Sequence, residues 1–422
     1  MDFTNAGWEA ATTALALTKY SKTYKLFITL HNSYDTEAQN EDLLRIGVRS
    51  ERCPGYNNEL TILSRAIPLV QRPVFTVSEQ FALDITSDTF QVKVMAKHLQ
   101  KLLESDFLGI NNGPFESLHV DEHILRDAMR GSFNSLREWK SANRKRALEA
   151  LDNVTPTKET PVWGDLKKLK RNEDACWFVM AGRDDPRQKG YDVAAAAIRL
   201  FLKESRDARF FFFPIPGDED LPGLTFLKNL AADFPESVLV FPFRWKEGFF
   251  ATLRGAAYGI MPSLYEPFGG ANEFYLNGTV GIGRATGGLI QQIVPLWAVS
   301  SFSHNAQKLA QRWHSQSSAP TGLLFREKNN IKSIVDDWEG INKAKYDISS
   351  SSNDRVLQRK QYTTFNEIVH ELYLCIKDGV RIYQQENPDL YYKMVRDGII
   401  FIQNSFSWER AAQEYTRNVI EG

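Results

Sequence analysis

CWFVMAGRDDPRQKGYDVAAAAIRLFLK, residues 176–203, holds a strand, a loop and a helix in succession. The apolar run ending at Ala181 and Gly182 reads as a strand. The charged segment after it is a loop, and apolar residues then recur at helical spacing over 191–203. The same alternation continues. RFFFFPIP (209–216) reads as a strand buried on both faces, 224–234 as a helix, and VLVFPF (238–243) as a strand. A helix is expected over 248–257, a short strand in GIMPS (259–263), a helix over 269–276, and a strand in TVGIG (279–283). Short apolar strands alternating with helices of about ten residues indicate a parallel, doubly wound α/β sheet. Ligands of such sheets bind outside the carboxyl ends of the strands, so the loops after the strands are where chemistry is expected.

Upstream, helical spacing over 8–19 is followed by LFITLHN (26–32), which reads as a strand. PVFTVS (73–78) is another, and FLGINNG (107–113) ends in a Gly/Asn turn. Residues 130–171 are rich in Lys, Arg and Glu, broken by Pro156, Pro161 and Gly164, and lack an apolar stripe after Leu151. They read as the segment joining two domains, giving expected units of 1–160 and 161–395. Residues 349–352 are a small polar loop, and the chain from Thr364 onward is mostly helical. No repeat of solenoid period is present.

With 422 residues, two domains is the natural expectation. The formal charge of −1 gives no bulk electrostatic pull toward nucleic acid or an anionic membrane. Cys53, Cys176 and Cys375 lie far apart with no metal-ligand spacing, so neither a disulfide framework nor a zinc site is expected, and a reducing cytoplasm fits. The first residues show no signal peptide, and no apolar run is long enough to span a bilayer.

Three loops carry the candidate chemistry. GRDDPRQKG (182–190) places Arg183 and Lys189 at the mouth of the sheet. Two cations there can hold a diphosphate and offset the charge that grows on it as a leaving group; a solvated basic loop is the plainer reading. In MPSLYEPFGGANEFYLNG (261–278), Gly269 and Gly270 open a helix whose backbone N–H groups can cradle a phosphate. Glu266, just ahead of them, can accept hydrogen bonds from sugar hydroxyls. Glu273 is either a second such group or an ordinary first-turn acid favoured by the helix dipole. The glycines of RATGGL (284–289) permit close backbone approach. No catalytic Ser/His/Asp order, Walker loop, HExxH or dinucleotide fingerprint is present.

Taken together these loops resemble the starch and glycogen synthase family of retaining glucosyltransferases with the GT-B fold. AGWEAATTALAL (6–17) with FITLHN (27–32), FTVSEQFALDI (75–85), GINNG (109–113), WKSANRKRAL (139–148), GRDDPRQKGYDV (182–193), MPSLYEPFGG (261–270), GRATGGL (283–289), TGLLF (321–325) and FSWERAAQEY (406–415) are similar to its motifs, in its order. The resemblance implies two Rossmann-type domains facing a cleft, the N-terminal one incomplete, with residues 396–422 forming a helix that returns to the first domain. It implies transfer of glucose from ADP-glucose or UDP-glucose to an α-1,4-glucan, with no cofactor and no metal. Arg183 and Lys189 would bind the donor's diphosphate, and Glu266 would lie beside the transferring glucose. Gly269 and Gly270 would supply backbone contacts, with Glu273 near a second polar position. His31 and Asn32 would face the cleft on the acceptor side. Trp245 falls where the family stacks an aromatic ring on the nucleobase; a core tryptophan is the other reading.

The chain departs from the family in several places. It begins after the point of the family's N-terminal Gly- and Lys-containing donor loop. Ala6 and Gly7 stand where the family has His and Asp, Ala271 replaces a Thr, and the turn after Gly109 reads Asn112-Gly113-Pro114-Phe115. Three readings follow: a fragment, a chain whose missing lobe comes from a protein partner, or a relic that binds nucleotide, glucan or protein without catalysis.

Overall fold

The computed structural model describes residues 13, 14, 17, 25–35, 40–45, 61–169, 175–217, 220–328, 334–344, 354–384 and 389–421. The expected helix over 8–19 therefore lies almost wholly outside the described residues, as do Ala6, Gly7, Cys53 and the loop 349–352. Two compact units are present: residues 1–113 with 406–422, and residues 114–405.

The first unit contains a three-stranded parallel sheet, β1 (Thr29–Leu30), β2 (Val74–Thr76) and β3 (Phe107–Gly109), in that order. Only two residues of LFITLHN pair as a strand, because β1 meets β2 only at Thr29 and Leu30. After β2 comes helix α1 (Glu79–Ser87), capped by the Ser78 hydroxyl on the Phe81 N–H. The expected single helix 396–422 is divided: residues 396–405 end the helix Asp389–Ser405 of the second unit, and the helix Trp408–Thr416, which runs on through Glu421, belongs to this one. Its Ala411 and Tyr415 pack on Phe75, and Arg410 donates to the Asn111 carbonyl at 2.6 Å.

The second unit is built on a six-stranded, wholly parallel sheet. Its strands are β4 (Cys176–Arg183), β5 (Ala208–Ile215), β6 (Val238–Val240), β7 (Tyr258–Met261), β8 (Val280–Arg284) and β9 (Leu323–Phe325). The spatial order is β6-β5-β4-β7-β8-β9. Counted from β4 this is 3-2-1-4-5-6, the Rossmann order. Alternate residues of β4 and β5 sort aromatic rings to opposite faces. Phe178 stacks on Phe210 and Tyr258 on one face, and Trp177 packs on Phe211 on the other. Each such ring stabilises the sheet by about 2–3 kcal/mol through burial alone.

Residues 114–160, expected in the first domain, lie in the second unit. Their central feature is a 19-residue helix, Asn134–Asp152, which packs along the helix Lys246–Gly255. Its basic composition suggested a linker because the residues that dock it are charged. Lys140, 3% exposed, donates to the carbonyls of Arg254 (3.0 Å) and Gly278 (2.6 Å). Arg144 donates to Gly255 at 2.9 Å and to Ala175 at 3.2 Å while lying over Trp177. Cations at the carbonyl end of a helix are favoured by its dipole, and these contacts add to the burial of Leu136, Ala147, Leu148 and Leu151 on the same helix. Burial holds the Lys140 ammonium well below its usual pKa. Further on, Trp163 bridges Val240 at the sheet edge, so the segment runs along the second unit. Cys176 and Cys375 are buried as core residues, their thiols pushed up by desolvation.

Lys140→Met keeps the buried stem and removes the ammonium, leaving two carbonyls without a donor. Guanidinium unfolding is expected to show a loss of about 2–4 kcal/mol; an unchanged midpoint would mean the docking does not rest on this side chain.

Candidate functional site

In the Rossmann order β4 and β7 are neighbours whose connections leave toward opposite flanks, so a crevice opens at their carboxyl ends. The loops after them are 184–190 and 262–270. They meet through one ion pair: Lys189 Nζ lies 2.8 Å from Glu266 Oε2 and 3.0 Å from Oε1. Gln188 Nε2 donates to Oε1 at 3.2 Å and the Ser263 hydroxyl to Oε2 at 2.9 Å. The carboxylate, 4% exposed, therefore has both oxygens doubly engaged.

Backbone geometry brings the loops this close. Gly190 holds φ of 68° at the start of the helix Tyr191–Glu204, and a Cβ there would come 2.3 Å from the Pro262 carbonyl. Opposite, Gly287 has φ of 47°, and its Cβ would sit 1.6 Å from the Glu266 carbonyl, which also accepts from the Gly288 N–H at 3.2 Å. The TGG loop after β8 thus lies backbone to backbone against Glu266, which any side chain would prevent.

Arg183 ends β4 with its side chain 59% exposed and 3.7 Å from Asp185. Gly269 and Gly270 precede the six-residue helix Ala271–Leu276. Gln292 secures this turn, donating to the Phe268 carbonyl at 2.7 Å and accepting from the Asn272 N–H at 3.3 Å. Glu273, in the helix's first turn, accepts from the Phe115 N–H at 3.1 Å, while its Oε2 is buried without a hydrogen-bond partner. Burial raises its pKa above the usual carboxylate range.

Three further residues were expected to contribute. Trp245 stacks on Phe241 at 4.5 Å and 6°, packs over Gly248, and belongs to the core with Phe213 and Leu239. At 5% exposure it offers no open face for a base, so the core reading is the one observed. His31 and Asn32 belong to the first unit, at the carboxyl end of β1, where Asn32 accepts from the Tyr34 N–H at 2.9 Å.

Gln188 and Ser263 were not among the expected site residues, and neither were the buried charges behind the loops. Arg284 donates to the Leu264 carbonyl at 2.6 Å and forks onto Glu327, Nε to Oε2 at 2.8 Å. Arg326 lies 3.0 Å from the same carboxylate. Burial alone would raise the pKa of Glu327, but the two guanidiniums outweigh it and bring it to about 2. The Ser-x-x-Glu spacing of Ser263 and Glu266 was a usable signal; pairings across forty residues had none.

Among the described residues, no group of three or more His, Cys, Asp or Glu is placed to hold a metal ion. Nor is any helix there long and apolar enough to cross a membrane.

Parallel sheets in both units and the Rossmann order of the second define a mixed α/β protein with a GT-B-like fold. The catalytic domain of starch synthase IV from Arabidopsis thaliana, solved bound to ADP and acarbose, is similar, with a TM-score of 0.60 and 15% identity over 98% of this chain and 72% of that one. The trehalose-6-phosphate phosphatase N-terminal domain of Candida albicans aligns over 97% of this chain and 68% of that one, at 11% identity and a TM-score of 0.47. No protein-family model and no curated protein matches the chain.

Because Glu327 is held below the unfolded carboxylate value, its contribution is complete above about pH 4.5 and lost as pH falls toward 2. The loss amounts to about 3 kcal/mol. Denaturant titrations from pH 6 to 2.5 should show it. Glu327→Gln should flatten that dependence and cost about 3–5 kcal/mol at neutral pH by removing a negative charge that both guanidiniums face.

Proposed function

We propose that the chain is a starch and glycogen synthase-like retaining glucosyltransferase, moving glucose from ADP-glucose or UDP-glucose to an α-1,4-glucan. The observation that carries this reading is the meeting of Lys189 and Glu266 at the switch point of the second sheet. A nucleoside diphosphate placed at these strand ends competes with Glu266 for Lys189, and the exposed Arg183 offers a second cation. As the glycosidic bond to the diphosphate lengthens, negative charge builds on the leaving group, and the two cations offset it without a metal. Once Lys189 turns to the phosphates, Glu266 has lone pairs free for the hydroxyls of the transferring glucose, still oriented by Gln188 and Ser263. Backbone groups of Gly269 and Gly270 complete the contacts to sugar or phosphate, with Glu273 beside them. His31 and Asn32 serve the acceptor. The ADP and acarbose of the starch synthase IV structure are ligands of the kind this reading requires.

A second reading, a family relic that binds nucleotide, glucan or a protein partner without turnover, has one observation in its favour: Trp245, in the place of the base-stacking ring, is enclosed in the core.

Calorimetric titration of ADP and of UDP into the purified chain tests the donor site. Binding of one or both is expected, weakened about tenfold or more by Lys189→Ala through loss of a charge-assisted contact. A folded protein that binds neither sinks the stand-alone enzyme. Binding without glucosyl transfer to a glucan primer would favour the second reading.

A further inference from the structure

We infer that Arg355 and Arg359 are positioning residues for the loop that presents Lys189 to Glu266, an inference that rests on the donor-site reading above. Both arginines lie on the five-residue helix Arg355–Arg359, and both side chains are fully buried. Arg355 forks onto Asp184, at 2.6 and 3.2 Å. Arg359 donates to Asp192 at 2.9 Å, to the Pro186 carbonyl at 2.6 Å and to the Ala344 carbonyl at 3.0 Å. The loop is thereby held at residues 184, 186 and 192, on either side of Lys189. Between these points Asp185 forms the turn: its side chain accepts from the Arg187 N–H at 3.0 Å, and its carbonyl accepts from the Lys189 N–H at 2.9 Å.

Stability alone does not require this arrangement, since buried ion pairs are often replaceable by apolar residues at no cost. An apolar pair, however, would not grip the Pro186 carbonyl. A lysine could not either while also reaching Asp192 and Ala344, because only a guanidinium carries several donors in a fixed fork. The two arginines touch neither Lys189 nor Glu266; they act through the backbone that carries Lys189.

The test compares the wild-type chain, Arg359→Lys, Lys189→Ala and the double variant, using two readouts. In Arg359→Lys, amide hydrogen exchange at Gln188 and Lys189 should rise about tenfold or more while exchange in the β5 strand stays unchanged. ADP or UDP affinity should fall about tenfold in the wild-type background and not at all in the Lys189→Ala background. Unchanged loop exchange, or the same affinity loss with and without Lys189, overturns the proposal. Wild-type binding that depends on Lys189 but not on Arg359 leaves the donor site standing and removes only the positioning role. If the wild type binds neither nucleotide, both fall. Should Arg359→Lys not fold, Asp184→Asn/Arg355→Met, which removes both charges of the other pair together, carries the same readings.

Discussion

The Lys189–Glu266 ion pair ties the second unit together at the point where its topology would otherwise leave it open. With β4 and β7 side by side and their connections leaving toward opposite flanks, the loops beyond them diverge unless something joins them. A buried carboxylate needs hydrogen-bond donors, and three side chains from the two loops supply them. The close approach of Gly190 to Pro262 and of Gly287 to Glu266 then follows as a requirement, because any wider spacing would break those bonds.

Charge performs three distinct tasks around this point. At Lys140 and Arg144 it docks a helix onto backbone carbonyls, beside the apolar residues that the same helix buries. At Arg284 and Glu327 it joins β8 to the segment after β9 and supports the backbone ahead of Glu266. At Arg355 and Arg359 it shapes a loop. The third, besides pairing with Asp184 and Asp192, holds the Pro186 carbonyl of the turn that leads to Lys189.

Much of the second unit was legible in the sequence because its strands are apolar runs and the helices after β4, β7 and β8 begin at glycines. RFFFFPIP is the clear case: every residue of Ala208–Ile215 but the last is buried. The placement of Arg183, Lys189 and Glu266 at strand ends was legible because the Rossmann rule directs attention there. The domain boundary was not, since basic residues at 140 and 144 look solvated until their carbonyl acceptors, more than a hundred positions away, are known. Trp245 was ambiguous for a related reason. An aromatic at a strand end can face a ligand or a neighbour, and only the ring of Phe241 beneath it settles which. Gln188 and Ser263 sit inside quoted motifs, yet their direction comes from the pairing of the loops.

The charge pairs also set an order of events during synthesis. A nascent chain that has reached residue 300 already contains Lys189, Ser263, Glu266 and Arg284. It does not yet contain Glu327, Arg355 or Arg359, nor the strand Leu323–Phe325 that completes the sheet. Until those residues leave the ribosome, Arg284 lacks its carboxylate, and Asp184 and Asp192 lack their guanidiniums. Strands from β4 to β8 can assemble in that interval while the loops at their ends cannot take their final form. Domains generally fold as units during synthesis; in this one, the loops at the carboxyl ends of β4 and β7 take their final form only after residue 359 has emerged.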